Sequence, residues 1–205
     1  MLTIHHLGLS QSERIIWLCE ELGVPYGLVR YEREPSMAAP PEYKALHPVG
    51  TAPIITDGGT VLAETCAVVE YISRKYAGGR LLLGPDHPEF ADFLFWYHYA
   101  NGTVVPAFMM DMTAKRAGAP PMTGRTDLAF KLIEDRLGQA EWFAGREFTA
   151  ADILMVFPLT RARLVSARDI SGLPNLLAYL QRIGERPGFQ KAMAIAEPNM
   201  PPVLK

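Results

Sequence analysis

The hydrophobic and polar positions of this chain change period partway along it. Over the first 80 residues, short β-compatible runs alternate with runs of helical period. Leu2 to His5 reads as a short strand, and Ile15, Leu18, Cys19 and Leu22 then recur on one helical face. Gly23 followed by Pro25 ends that helix, as a terminal glycine and a later proline commonly do. Tyr26 to Tyr31 is a second strand-like run. After a proline-rich loop, Pro53-Ile54-Ile55-Thr56 and Thr60 to Ala63 flank Asp57-Gly58-Gly59, which predicts a hairpin. Val68, Val69, Ile72 and Tyr76 mark the core face of another helix. The order is βαβ followed by ββα, an α/β unit over residues 1–80.

From Gly78 to Pro88 the pattern gives way to glycine, proline and Leu81-Leu82-Leu83, the composition of a linker. Beyond it no strand pair is convincing. Asp86 and Glu89 stand three apart around Pro88, the spacing of a capped helix start. A long helix is expected from there through Met112, bent at Pro106, where a backbone donor is missing. Asp127 to Phe143 predicts a second helix and Thr149 opens a third. Asn175 to Arg186 gives a fourth, stopped by Pro187 and Gly188. Residues 88–205 therefore form an all-helical domain, and the fold class is α/β plus all-α.

Composition narrows the possible functions. The 205 residues are 49% hydrophobic, enough for a sizeable core and incompatible with a disordered chain. Twenty Lys and Arg against 22 Asp and Glu give a formal net charge of -2, so no overall basic field draws nucleic acid or an anionic membrane. The longest apolar stretch, Ile153 to Leu159, falls far short of the roughly 20 residues that cross a bilayer. No secretory pattern opens the chain, and Cys19 and Cys66 lack metal-ligand spacing, so a cytoplasmic protein is expected. The five histidines, at 5, 6, 47, 87 and 98, make no metal pattern and read as structural or surface residues.

Four segments carry candidate chemistry. In Ser10-Gln11-Ser12-Glu13-Arg14, Ser10 and Glu13 have capping-box spacing. The same hydroxyl at the positive end of a helix would stabilise an anion such as a thiolate. His47-Pro48-Val49-Gly50-Thr51-Ala52-Pro53-Ile54 is either a plain loop or a cis-proline platform whose backbone pairs with an extended peptide. Glu64-Thr65-Cys66 lies ahead of a helix. Thr65 there is a cap or, with Glu64, half of a site for an amino-acid head group, the carboxylate taking the ammonium and the helix terminus the carboxylate. Phe148-Thr149-Ala150-Ala151-Asp152-Ile153 reads as a structural capping box with a hydrophobic staple.

In this order the segments resemble the cytosolic glutathione S-transferases over nearly the whole chain. Ser10 to Arg14 is similar to the catalytic-serine loop of theta-like bacterial members. His47 to Pro53 and Leu62 to Val68 resemble the glutathione-site segments, and Phe148 to Ile153 resembles the capping box of the family's sixth helix. The resemblance implies a thioredoxin-like domain followed by a helical bundle. It implies that Ser10 donates a hydrogen bond to the glutathione sulfur, that Ala52 pairs its backbone with the cysteinyl part beside a cis Pro53, and that Glu64 and Thr65 hold the γ-glutamyl group. Thr51 stands where relatives often carry Lys or Gln for the peptide end, so Lys44 or His47 is a candidate for the glycine carboxylate. No tyrosine closes the first strand and no cysteine lies in the Ser10 loop, which disfavours the tyrosine and cysteine types.

The expected function is attack on small hydrophobic electrophiles by a glutathione thiolate, with glutathione as co-substrate and no tightly bound cofactor or metal. The alternatives are a catalytically silent binding or regulatory protein of the same fold, and a glutathione-dependent peroxide or disulfide reductase. Tyr99, Thr103 and Met110 fall on one face of the proline-bent helix and are expected to form one wall of the electrophile pocket. Phe90, Phe93 and Leu94 are more apolar surface than one side of a monomeric bundle needs, which together with the resemblance implies a two-fold homodimer.

Overall fold

The computed structural model describes residues 1–120, 123–162 and 168–205. The chain divides into two compact units, one of Met1–Arg80 with Arg186–Pro201 and one of Leu81–Glu185 with Pro202–Lys205.

The first unit is built on a four-stranded sheet of order β2-β1-β3-β4. Strand β1 (Leu2–Leu7) lies parallel to β2 (Gly27–Tyr31) and antiparallel to β3 (Ile54–Asp57), which pairs antiparallel with β4 (Thr60–Ala63). This is the expected βαβ-ββα arrangement. Strand β1 runs two residues past its expected end, because His6 and Leu7 pair in register with Arg30 and Tyr31. Successive side chains of a strand point to opposite faces, so His5 and His6 are separated by the sheet. His5 meets Tyr31 and Thr56 on one side, whereas His6 is fully buried on the other.

Helix α1 (Glu13–Leu22) ends at Gly23, whose φ of 66° is the left-handed conformation that glycine adopts freely. A short helix, α2 (Pro41–Lys44), lies in the proline-rich loop, where no helix is expected from the sequence. Its Pro41 suits a first helical turn that needs no N–H. Helix α3 (Thr65–Ala77) follows the hairpin and is tied to it through Asp57. One carboxylate oxygen of Asp57 accepts from Lys75 Nζ at 2.7 Å, Tyr76 at 2.6 Å and Tyr71 at 3.0 Å. The Lys75 ammonium and the two phenols hold this carboxyl well below the usual carboxylate range.

The second unit is helical: α4 (Phe90–Tyr99), α5 (Val105–Arg116), α6 (Thr123–Leu137), α7 (Ala150–Phe157) and α8 (Pro174–Glu185). Helix α4 starts at Phe90, and the N–H of Glu89 is taken by the His87 ring at 3.1 Å rather than by Asp86. The expected bend at Pro106 is a π-helical turn over Ala100–Val104, just before the proline. Proline has no N–H for the preceding turn and its ring crowds that carbonyl, and a widened turn relieves both. Helix α6 ends at Leu137, ahead of Gly138 and short of the expected Phe143. Phe143 instead gives its N–H to Asp152 at 3.0 Å.

The expected boundary of the helical domain, residues 88–205, needs correction. The helix expected over Asn175–Arg186 does end ahead of Pro187, as α8, but it is not the last. Pro187 is the first residue of α9 (Pro187–Ala196), which belongs with the α/β unit and packs on α1. Proline stops a helix and also starts one, because the first turn has no use for its N–H. Phe189 meets Trp17 edge-on at 4.9 Å, and Arg186 grips the Glu21 carboxylate at 2.7 and 2.9 Å. Gly188 allows this approach: a Cβ there would lie 2.8 Å from the Glu21 carboxyl.

Candidate functional site

The segment between β1 and α1 turns on two serines. Ser10 Oγ donates to Leu7 O at 2.7 Å, accepts the Ser12 N–H at 3.3 Å and lies 2.7 Å from Ser12 Oγ. The Ser10–Glu13 capping box expected from spacing does not form, since the helix begins at Glu13 with Ser12 as its flanking residue. The Ser10 hydroxyl closes a tight turn one step earlier. Ser12 is enclosed and hydrogen-bonded to His6 Nδ1 at 2.8 Å, whereas Ser10 keeps 5% of its surface exposed. Both serines are buried, Ser12 wholly and Ser10 with a small residual exposure.

The cis-proline platform is present, with the Ala52–Pro53 peptide bond cis. Ala52 is half-buried beside the core cluster of Leu7, Ala39, Tyr43, Ile54 and Ala63, and Thr51 is exposed. Lys44 is exposed and His47 half-buried, with the His47 ring accepting the Val49 N–H at 3.1 Å.

Glu64 and Thr65 exchange the roles their spacing suggests. Glu64, not Thr65, flanks α3, and Thr65 is its first residue. Glu64 is exposed at φ 72° and ψ 120°, a conformation that costs a non-glycine residue about 1–3 kcal/mol and persists mainly at ligand clamps. Thr65 is buried, and its Oγ1 accepts from Arg14 Nη2 at 3.2 Å. Arg14, which also binds Gln11 Oε1, joins the Ser10 turn to the start of α3. Nothing in the sequence marks Arg14 for this role except its place in the motif, because its partner is 51 residues away. A guanidinium only donates, so the Thr65 oxygen is the acceptor and its own proton is free to serve a carboxylate.

Ser10, Arg14, Thr51, Ala52, Pro53, Glu64 and Thr65 thus lie in one unit. Tyr99, Thr103 and Met110 lie in the other, on α4, the π turn and α5, with Tyr99 and Thr103 half-buried and Met110 exposed. Burial pushes the thiol of Cys19 up to about 12, with the Glu20 carboxylate adding to the effect, so Cys19 is inert at neutral pH. Among the described residues, no cluster of three or more His, Cys, Asp or Glu could hold a metal ion, and no helix is long and apolar enough to cross a membrane.

Two family models match the chain: the glutathione S-transferase N-terminal domain over residues 10–75 and the glutathione S-transferase C-terminal domain over residues 95–187. Glutathione S-transferase 3 of Schizosaccharomyces pombe is 30% identical, over 97% of this chain and 89% of its own length. Glutathione S-transferase 3 of Zea mays is 29% identical, over 98% and 96%. Among solved structures, a glutathione S-transferase from Actinobacillus pleuropneumoniae superposes with a TM-score of 0.86 at 30% identity, covering 96% of this chain and 93% of that one. The theta-class enzyme of Xanthomonas axonopodis pv. citri with glutathione bound gives a TM-score of 0.71 at 25% identity, over 93% and 96%.

Proposed function

The chain belongs to the glutathione S-transferase family, a transferase with glutathione as co-substrate, and from that premise we propose that Ser10 activates the glutathione sulfur. The observation that carries this is the Ser10 turn: a hydroxyl just ahead of the N-terminus of α1, on a residue that keeps slight exposure while its neighbour Ser12 has none. A free thiol has a pKa near 8.5. Lowering it by about two units takes about 2.7 kcal/mol of preference for the thiolate. One hydrogen bond to a charged group and a helix terminus supply that order of energy. Retention on glutathione resin, followed by turnover of a chlorinated nitroaromatic compound, tests the whole reading.

Glutathione itself lies along the first unit in this proposal. The Ala52 backbone pairs with the cysteinyl part, and Thr51 with Lys44 or His47 meets the peptide end. Glu64 takes the α-ammonium, while the Thr65 hydroxyl and the N-terminus of α3 take the α-carboxylate. The strain at Glu64 supports its part, since it places a carboxylate outward where the fold alone would prefer glycine. Glu64→Ala should weaken glutathione binding by roughly 10–100-fold in calorimetry, the loss of one hydrogen bond to a charged group, with little change in kcat. Unchanged affinity would remove Glu64 from the site.

We assign one wall of the electrophile pocket to Tyr99, Thr103 and Met110. Met110→Ala should reorder a panel of electrophiles by kcat/KM and leave glutathione affinity unchanged. A uniform fall for all substrates together with lower stability would make this face core instead. A theta-like placement agrees with the serine loop and with the Xanthomonas likeness. The proposed compartment is the cytoplasm, supported by two free cysteines.

The proposed assembly is a two-fold homodimer. Phe93, expected to be surplus, is buried within its own unit, but Leu94 and Phe95 of α4 remain 39% and 48% exposed. Leu128 and Leu132 of α6 are exposed as well. Such apolar surface is commonly covered in an interface, which should exceed about 1,000 Å² in total. Sedimentation at micromolar concentration should give twice the chain mass of 22.7 kDa; a species at the single-chain mass excludes a stable dimer.

A further inference from the structure

The hydrogen bonds beneath Ser10 have a fixed direction. Nε2 of His6 lies 3.0 Å from the carbonyl oxygen of Ala196, which only accepts, so Nε2 carries a proton. In a neutral imidazole Nδ1 is then a bare acceptor, and it faces the Ser12 hydroxyl at 2.8 Å. Ser12 has two acceptors, His6 Nδ1 at 2.8 Å and Leu7 O at 3.3 Å; giving its proton to the nearer, it only accepts across its 2.7 Å contact with Ser10. The Ser10 proton is therefore turned inward, to Ser12 Oγ or to Leu7 O, each at 2.7 Å. Serving a thiolate requires that proton to turn outward, and the chain of contacts offers a concerted way for it to do so.

We propose that His6 accepts the thiol proton of glutathione through Ser10 and Ser12. The inference rests on the reading that Ser10 faces the sulfur. The S–H bond breaks and its proton joins Ser10 Oγ, the Ser10 proton joins Ser12 Oγ, and the Ser12 proton joins His6 Nδ1. The electron pair stays on sulfur. Three bonds to hydrogen break and three form, and a neutral thiol and imidazole become a thiolate and an imidazolium. Afterwards every donor points the right way: His6 to Ser12, Ser12 to Ser10, and Ser10 to the anionic sulfur. Both His6 and Ser12 are fully enclosed, so the proton has no route to the ring except through the two hydroxyls.

The surroundings accommodate the imidazolium. Glu197 Oε1 lies 3.6 Å from Nε2, and the same buried carboxylate accepts the Leu9 N–H from the Ser10 loop. Arg30 opposes the charge in part, binding Glu197 Oε2 at 3.4 Å and the Ala196 carbonyl. The end of α9 thus provides the carbonyl that orients His6 and the carboxylate that balances it. A lone hydroxyl would be enough for a hydrogen bond to sulfur; the second serine and the histidine provide somewhere for the proton to go.

Counting protons tests this without altering the fold. Glutathione is bound to the wild-type protein near pH 7 in buffers of different ionisation enthalpy, and thiolate is followed by its ultraviolet absorbance. The expected result is close to zero protons released to the buffer per thiolate formed. His6→Asn keeps an amide oxygen for Ser12 but cannot take a proton, so release should rise to one and the apparent thiol pKa should rise. Ser12→Ala should also release one. One proton per thiolate in the wild type overturns the relay even if neither variant folds. Thiolate that persists in Ser10→Ala overturns the Ser10 assignment and the relay with it, whereas one proton released by the wild type with Ser10→Ala inert overturns the relay alone.

Discussion

Ser10→Ala should lower kcat toward a chlorinated nitroaromatic substrate on the order of 10²-fold at or below neutral pH. It should also move the acid limb of the pH–rate profile upward by about two units. The direction follows from the thiol alone. A thiolate hydrogen-bonded by Ser10 has a depressed pKa, so the wild-type rate falls only when pH drops through that depressed value. Without the hydroxyl the rate falls already below the free-thiol value near 8.5, and wild type and variant should converge above it. Binding of glutathione should change little, because the proposed anchors Glu64 and Thr65 are untouched. The fold should lose about 1 kcal/mol, since Ser10 gives up its bond to Leu7 O and leaves the Ser12 N–H without its acceptor. A variant that keeps the wild-type pH profile would reduce Ser10 to a turn residue.

The loss is expected to be chemical, not structural, because the turn is held from several sides. Leu7 gives its N–H to Ser12 Oγ at 3.2 Å, and Arg33 reaches the carbonyls of Gly8 and Leu9 at 2.8 and 3.2 Å. Glu197 holds the Leu9 N–H from the far end of the chain. Leu9 itself sits at φ 54°, left-handed for a residue that seldom adopts it, and these contacts keep it there.

The parts of this architecture that could be read from the sequence are those written in neighbouring residues. The strands of the α/β unit are bounded by Gly23, Pro25 and Gly58-Gly59, and the helical periods between them are local, so the βαβ-ββα order was legible. So was the Thr149–Asp152 cap, where the donor and acceptor are three residues apart. The Ser10 turn was legible only as a motif. His6 is an unremarkable residue at the end of a strand until Ala196, 190 positions on, is placed against its ring. The same distance hid α9: Pro187 reads equally as a stop or a start, and the partners that decide it, Trp17 and Glu21, lie at the other end of the sequence. Thr65 looked like a cap because spacing shows a hydroxyl before a helix but not the buried arginine that occupies it.

Asp152→Ala should cost the protein about 3 kcal/mol in urea unfolding while leaving the glutathione site intact in any molecule that folds. The carboxylate is wholly buried and fully used. It accepts the Thr149 N–H at 2.9 Å and the Phe143 N–H at 3.0 Å, and both the Thr149 and Tyr179 hydroxyls at 3.3 Å. Alanine leaves two buried amides without acceptors, at about 1–3 kcal/mol each, and undoes the cap, offset by no longer burying an acid. Burial pushes this carboxyl up to about 6, against the pull of its four donors. An acid with a raised folded pKa contributes most below its unfolded value near 3.9 and loses that contribution as pH climbs through about 6. The alanine variant has no such titration, so its deficit relative to wild type should be larger at pH 5 than at pH 7.5. A deficit that instead grows with pH would mean that the four donors outweigh burial and hold Asp152 ionised throughout. A variant as stable as wild type would show that the loop carrying Phe143 relaxes to find other acceptors.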